Sequence, residues 1–415
     1  MSDPIRTQYR TVVKDHFPER MEVRFSGPNG TQTLVYEKVL WNIGGEEQGL
    51  RYGENPGQEA ALYKLTGGHL ALGEIEYITP GNALASASQL LQSGKHPGKI
   101  NITDVDSALG ILKYLAADPC TVIVKHNNPS GVACAESLPR SFREAYLADR
   151  IAAFGGAVVM NKAVDKETAE SIMREYFEVV AAPEFEEGVL DILSARKNLR
   201  VMRIKNMDRL GEFHAARFLD FKSLQDGGII VQNSFKPEAI VKEKLLPARA
   251  THEGNEYAIA RMPTEAEYRD LIFGWIVEAG VTSNSVLYVK NNVTIGIGTG
   301  EQDRVGVAEI ARDKAYKKYA ERIAYERYGK RTGDLTPDEH EEVDAAVRSN
   351  NGGLSGSVMV SDAFFPFRDA ADVGIREGVT AIIQPGGAIR DYESIQACNE
   401  AGVTMVFTGE RSFRH

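Results

Sequence analysis

Lys125 and His126 stand side by side and offer an ammonium and an imidazole together. The pair suits proton transfer. An imidazole titrates near neutral pH, and a cation beside it stabilises developing negative charge. Thr121-Val122-Ile123-Val124 precedes the pair. A run this short and this rich in β-branched residues predicts a buried strand. Asn127-Asn128-Pro129-Ser130-Gly131 follows, and its Asn-Pro and Ser-Gly steps predict a turn. The two side chains therefore emerge at the carboxyl end of a core strand, the edge where open α/β sheets bind ligands. A lone Lys-His step is otherwise a solvated corner, so its meaning depends on other segments.

Four of those segments carry chemistry. Arg51-Tyr52-Gly53-Glu54-Asn55-Pro56-Gly57-Gln58 joins a guanidinium, which offers planar multiple donors to phosphate oxygens, to a turn. Gly296-Ile297-Gly298-Thr299-Gly300 lacks the spacing of a dinucleotide loop and the Gly-Lys-Ser/Thr of a P-loop. Glycines on a strand instead predict close backbone approach, with Arg304 just beyond as a candidate ligand contact. Ser361-Asp362-Ala363-Phe364-Phe365-Pro366-Phe367-Arg368-Asp369 sets three aromatics around a proline, suited to a wall beside a flat ring. Arg411-Ser412-Phe413-Arg414-His415 gains meaning only if the chain end is tied into a site.

The elements that must position these residues read as α/β. Strand-like and helix-like stretches alternate over residues 51–225, with helical spacing at Asp104 to Tyr114 and Ser141 to Leu147 and a strand at Ala157 to Met160. Residues 1–50 form a β-rich lead-in, with strands at Met21 to Phe25 and Thr33 to Tyr36 around Gly27-Pro28-Asn29-Gly30. Residues 226–275 read as a helical connector, with a capping box at Thr264 opening a helix that contains Trp275. Residues 276–415 form a second α/β unit. It holds a hairpin around Asn291-Asn292, a charged helical surface insertion at 311–350 capped at Thr336, and a strand at Val379 to Ile383.

Composition bounds the function. The 415 residues carry a net charge of −10, with 43% hydrophobic and 26% charged residues, as in ordinary globular proteins. An acidic chain argues against general nucleic-acid or membrane binding, yet a few local cations still hold a small anion. Cys120, Cys134 and Cys398 form no Cys-x-x-Cys pair and read as reduced packing residues. No apolar run approaches the ~18–20 residues that span a bilayer, and Met1-Ser2-Asp3-Pro4 opens no signal pattern, so a cytoplasmic protein is expected.

Taken in order, these segments resemble the AICAR transformylase family, the formyl-transferring half of a bifunctional purine-biosynthesis protein whose other half is IMP cyclohydrolase. The resemblance rests on Arg-Tyr-Gly-Glu-Asn-Pro-x-Gln, Lys-His-x-Asn-Pro-x-Gly, Phe-Gly-Gly, Ser-Asn-x-x-x-Tyr, Gly-Ile-Gly-x-Gly, Ser-Asp-Ala-Phe-Phe-Pro-Phe-Arg-Asp, Gln-Pro-Gly-Gly-x-Ile-Arg-Asp and a terminal Arg-x-Phe-x-His, over roughly residues 50–415. It implies a stand-alone transformylase. Its fold would be two cytidine-deaminase-like three-layer units with a small helical part, assembled as a homodimer.

The resemblance also implies roles. Lys125, His126 and Asn284 match the reacting set; Arg51, Tyr52, Asn101, Lys197, Arg304, Arg411 and His415 the AICAR side; Phe154, Gly155, Pro366, Phe367 and Asp369 the folate side. It implies 10-formyltetrahydrofolate as co-substrate, no redox cofactor or catalytic metal, and in some members a structural potassium ion near the terminal histidine. Gly57, Ala152, Glu301 and Asp303 depart from the family pattern. A zinc deaminase would need His-x-Glu and a cysteine pair, which His252-Glu253 and the three cysteines do not supply. A ribotide-binding sensor with weakened turnover is the alternative the departures leave open.

Overall fold

The computed structural model describes residues 11–415 apart from 29, 74, 77 and 78. The opening Met1-Ser2-Asp3-Pro4 and Asn29 of the first expected turn lie outside the described residues. The chain packs as two compact units that exchange segments: Met1–Ala116, Val124–Asn127 and Gly155–Lys236 form the first, and Ala117–Ile123, Asn128–Phe154 and Pro237–His415 the second. Both are α/β with mixed sheets. Among the described residues no helix is long and apolar enough to cross a membrane.

In the first unit Ala157–Met160, Val179–Ala182 and Arg200–Arg203 run parallel, and Gln89–Gln92 closes the edge antiparallel. Ala157–Met160 and Val179–Ala182 are unbroken apolar runs because both faces are covered, while Arg200–Arg203 has an arginine at each end. Helix Lys99–Leu112 starts five residues before the expected Asp104, after Gly98 as N-cap, and buries Ile102, Val105, Ala108, Leu109 and Leu112. The lead-in strands are Arg20–Gly27 and Gly30–Lys38, and Tyr63–Gly68 joins them in an antiparallel sheet over Leu34, Leu70 and Ile75.

In the second unit the strand order is Leu246–Pro247, Thr404–Phe407, Ala381–Gln384, Val358–Ser361, Val286–Lys290, Val293–Gly298, Asn128–Cys134 and Cys120–Lys125, the last contributing its first four residues. Helix Glu265–Glu278 opens on the expected Thr264 capping box and buries Trp275 completely. The connector differs from expectation. It is helical only from Glu265 apart from one turn at Lys242–Lys244. Ile229–Asn233 and Arg249–His252 are strands of small antiparallel ribbons, the first opening on three consecutive β-branched residues.

The expected insertion is also not a separate arm. Helix Arg304–Tyr328 runs through its start, and Val307, Ala308, Ala311 and Ala315 are fully buried. The strand glycines explain this. A Cβ on Gly296 would sit 2.3 Å from the Ala311 carbonyl oxygen, and one on Gly298 2.3 Å from that of Val307. The helix backbone lies directly on the strand, the close approach its glycines predict. Helix Pro337–Ser349 then folds back through Val343 and Val347 onto Ala324.

Two glycines should respond oppositely to alanine. Gly298→Ala must force helix and strand apart and should cost about 2 kcal/mol or more. Gly110, in the helix Lys99–Leu112 with nothing within 4 Å of an added Cβ, should gain about 0.5–1 kcal/mol as alanine. Urea denaturation of both variants measures this, and equal effects would contradict the packing described.

Candidate active site

The first unit assembles an anion cradle at the amino end of helix Lys99–Leu112. The Arg51 amide donates to Pro97 O at 2.8 Å and the Lys99 amide to Tyr52 O at 3.0 Å, stitching Arg51-Tyr52 to the first turn. Arg51 Nη2 donates to Tyr52 Oη at 2.8 Å. Arg200 lies near enough for the two guanidiniums to repel; burial pushes it down from its usual value, and Glu178 holds it up. Arg51 and Arg200 are 7% and 3% exposed, and the Nε of each is buried with no hydrogen-bond partner. Glu178 lies 3.4 Å from Arg200 Nη1 and also accepts from Asn101 Nδ2 at 3.1 Å. Two buried guanidiniums beside one carboxylate, with unused donors at a helix N-terminus, make a site for a phosphate-like dianion. Sequence reasoning missed Arg200 and Glu178. Asn101 is spent inside the protein, its Oδ1 accepting from the Gly98 amide at 3.0 Å. Lys197 is exposed three residues before Arg200. A cavity of about 430 Å³ in the same unit, lined by Leu65, Ile102, Leu109 and Phe213, holds none of the expected site residues.

Lys125 ends the strand Cys120–Lys125, half-buried, and His126 is exposed in the turn itself. The turn falls two residues before the expected Asn-Pro step. His126 and Asn127 have φ of 55° and 62°, and Asn128–Cys134 is already the returning strand. Two successive positive φ values match the right-handed twist of a tight hairpin. Asp104, 5% exposed on helix Lys99–Leu112, accepts from the Asn127 amide at 2.7 Å and from the His126 amide. Burial raises the Asp104 carboxyl above its usual range, against these bonds and the nearby imidazole.

The second unit builds its part around Asn284. Arg304, expected to touch substrate, is 9% exposed with its donors committed. Nη1 donates to Ser285 O and Ser361 Oγ at 3.0 Å each and to Asp362, and Nη2 donates to Asn284 Oδ1 at 3.1 Å. Asn284 Nδ2 donates to Gln302 O at 3.0 Å, so its amide is fixed at both ends. Asp362, fully buried, also accepts from Ser283 Oγ and the Ser285 amide. Glu278 accepts from Ser285 Oγ at 2.8 Å, and its Oε2 is buried without a partner. Burial and the neighbouring Asp362 push the Glu278 carboxyl well above its usual range.

The chain end is tied into this cluster. Ser412 N donates to Asp362 O at 2.9 Å, Ser283 N to Arg414 O at 2.9 Å, and Arg414 N to Ser283 Oγ at 3.1 Å. His415 and Arg411 are exposed, with the Arg411 guanidinium 4.9 Å from the Phe413 ring centre. Asn128 Oδ1 accepts from Thr282 N at 2.9 Å, joining the strand that follows the His126 turn to the segment leading into Asn284.

The aromatic run splits. Phe365 is fully buried, while Phe364 and Phe367 are 42% and 50% exposed and Arg390 lies 5.1 Å from the Phe367 ring centre. Pro366 is exposed, and Asp369 begins the helix Asp369–Arg376. Phe154 is 62% exposed, and Gly155 turns with φ 76°. Two departures have structural reasons. Gly57 has φ 90°, and Asp303 is the N-cap of Arg304–Tyr328, accepting from the Gly306 amide at 2.7 Å. Burial raises the Cys120 thiol and takes Cys398 to about 12, so neither is a thiolate near neutral pH. Among the described residues no cluster of three or more His, Cys, Asp or Glu could hold a metal ion.

The fold and these side chains define an α/β protein whose first unit carries both a pair of buried guanidiniums and a lysine–histidine turn. A family model described as AICARFT/IMPCHase bienzyme matches residues 6–314, and the chain belongs to that family. Over 368 residues it is 37% identical to a bifunctional purine biosynthesis protein PurH of Caldicellulosiruptor saccharolyticus, covering 89% of this chain and 59% of the relative. The corresponding protein of Persephonella marina is 39% identical over 88% of this chain and 59% of its own length. That of Chlorobaculum parvum is 34% identical over 99% and 65%. The chain therefore spans less than two thirds of the length of these relatives.

Glu278 sets a testable pH dependence. A carboxyl whose folded pKa is raised contributes stability at low pH that is lost as the pH climbs through that raised value. Glu278→Gln stays neutral and keeps the Ser285 bond. Its stability should therefore gain on the parent as the pH rises above the usual carboxylate range. Parallel denaturation profiles for the two proteins would rule Glu278 out as the source.

Proposed function

We propose that the protein transfers the formyl group of 10-formyltetrahydrofolate to the 5-amino group of AICAR, giving FAICAR and tetrahydrofolate in purine biosynthesis. The observation that carries the reading is the His126 turn, held by Asp104 next to Lys125, in a unit that also holds the Arg51–Arg200 cradle. AICAR is a phosphorylated ribotide, and the cradle suits its phosphate. Tyr52 and Lys197 add donors in the same unit.

The chemistry follows from the groups present. The 5-amino nitrogen attacks the formyl carbon, and His126 accepts the proton it loses. Lys125 stabilises the tetrahedral oxyanion. The carbon–N10 bond then breaks with its electrons passing to N10, which is protonated from Lys125. The exposed Phe154 and Phe367 are the aromatic faces the second unit offers to the folate ring.

A homodimer is part of the same reading, checked by sedimentation equilibrium. So is a structural potassium ion near His415. Glu278 and Asp362 fit it, since the partnerless Glu278 Oε2 and the fully buried Asp362 share one cation, Arg304, among the described residues. The proposal concerns formyl transfer alone and makes no claim about ring closure to IMP.

Incubation with AICAR and 10-formyltetrahydrofolate should release tetrahydrofolate. AICAR binding without release would favour the sensor. His126→Ala should lower kcat by about 10²-fold or more. Arg51→Ala and Arg200→Ala should chiefly raise the KM for AICAR, by about tenfold or more, as expected for loss of a charged hydrogen-bonded contact. Normal turnover by His126→Ala would remove it as the base.

A further inference from the structure

Asp104 has a counterpart elsewhere in the fold. It is the sixth residue of the fourteen-residue helix Lys99–Leu112, and Asp270 is the sixth residue of the fourteen-residue helix Glu265–Glu278. Asp270 Oδ2 accepts from the Asn291 amide at 2.9 Å and Oδ1 from the Asn292 amide at 2.7 Å. Those two residues turn the hairpin between Val286–Lys290 and Val293–Gly298 with φ of 54° and 56°. Each turn thus has two successive left-handed residues, with both amides on one buried carboxylate and a lysine just before it: Lys125 in one, Lys290 in the other. The copies differ in load. Asparagine enters the left-handed region readily and histidine less so. Lys290 Nζ is tied to Ser355 O at 2.7 Å, and the second turn carries no imidazole.

We infer that Asp104 is a positioning residue for the transfer reaction, holding the His126 backbone left-handed so that the imidazole points where the base is needed. The inference rests on the formyl-transfer reading. Asp104 touches no substrate in this role. It acts through the two amides, and its counterpart Asp270 performs the same structural task without the chemistry. That makes Asp270 an internal control for the part of any effect that is merely structural.

The test compares Asp104→Ala, Asp104→Asn and Asp270→Ala in the full chain, by melting temperature, kcat and KM for AICAR. Asp104→Ala should lower kcat tenfold or more with KM within about twofold of the parent. Asp104→Asn, whose oxygen still accepts from an amide, should keep kcat within about threefold. Asp270→Ala should lose melting temperature like Asp104→Ala yet keep kcat within about twofold. The inference is overturned if Asp104→Ala turns over normally, if Asp270→Ala loses as much kcat, or if Asp104→Asn loses kcat tenfold at an unchanged melting temperature. Should the parent itself release no tetrahydrofolate, the formyl-transfer reading fails separately. Crystal structures of Asp104→Asn and Asp104→Ala then decide the positioning claim. His126 leaving positive φ only in the alanine variant supports it, and His126 unmoved in both overturns it.

Discussion

A charge taken out of water must be matched by an opposite charge or discharged by a proton, and this constraint organises the chemistry of both units. In the first unit it is met incompletely on the positive side. Arg51 and Arg200 are buried together and Glu178 answers for one of them. The shortfall is what a bound anion would supply. In the second unit the shortfall is negative. Arg304 answers for Asp362, and burial beside that carboxylate pushes the Glu278 carboxyl well above its usual range. One imbalance is open to a ligand, and the other is closed over by the chain end.

The closed imbalance has structural value. Arg304 is a rigid fork that reaches Ser285 O, Ser361 Oγ, Asp362 and Asn284 at once. A lysine could not span that set with a single compact ammonium. The orientation of the Asn284 amide is therefore inherited from a salt bridge deeper in the unit. Ser283 links the same salt bridge to Arg414, so the end of the chain and the asparagine are set by common groups.

Local signals were legible in the sequence. Thr121 to Val124 announced a core strand, Thr264 its capping box, Asn291-Asn292 a hairpin, and the strand glycines their close contact with a helix. Each depends on residues a few positions apart. The partners that give the site its geometry were not legible. Asp104 sits mid-helix and Glu178 just ahead of a strand; nothing near either announces the distant turn or guanidinium it serves. Arg304 was read as facing a ligand because sequence gives its neighbours but not its depth. The start of the 311–350 segment reads as surface because its charges outnumber the alanines that bury it.

The interleaving of the two compact units has a practical consequence. Ala117–Ile123 and Asn128–Phe154 belong with Pro237–His415, while Val124–Asn127 belongs with the other unit. A single cut after Lys236 keeps all segments of the first unit together but strips Ala117–Ile123 and Asn128–Phe154 from the second. The second unit released in this way lacks the strands Cys120–Lys125 and Asn128–Cys134 of its own sheet. Expression of half-genes should fail where co-expression of complementary pieces can succeed. The hairpin that bears the imidazole is thus also the crossing thread, and the protein must be inherited, expressed and engineered as one piece.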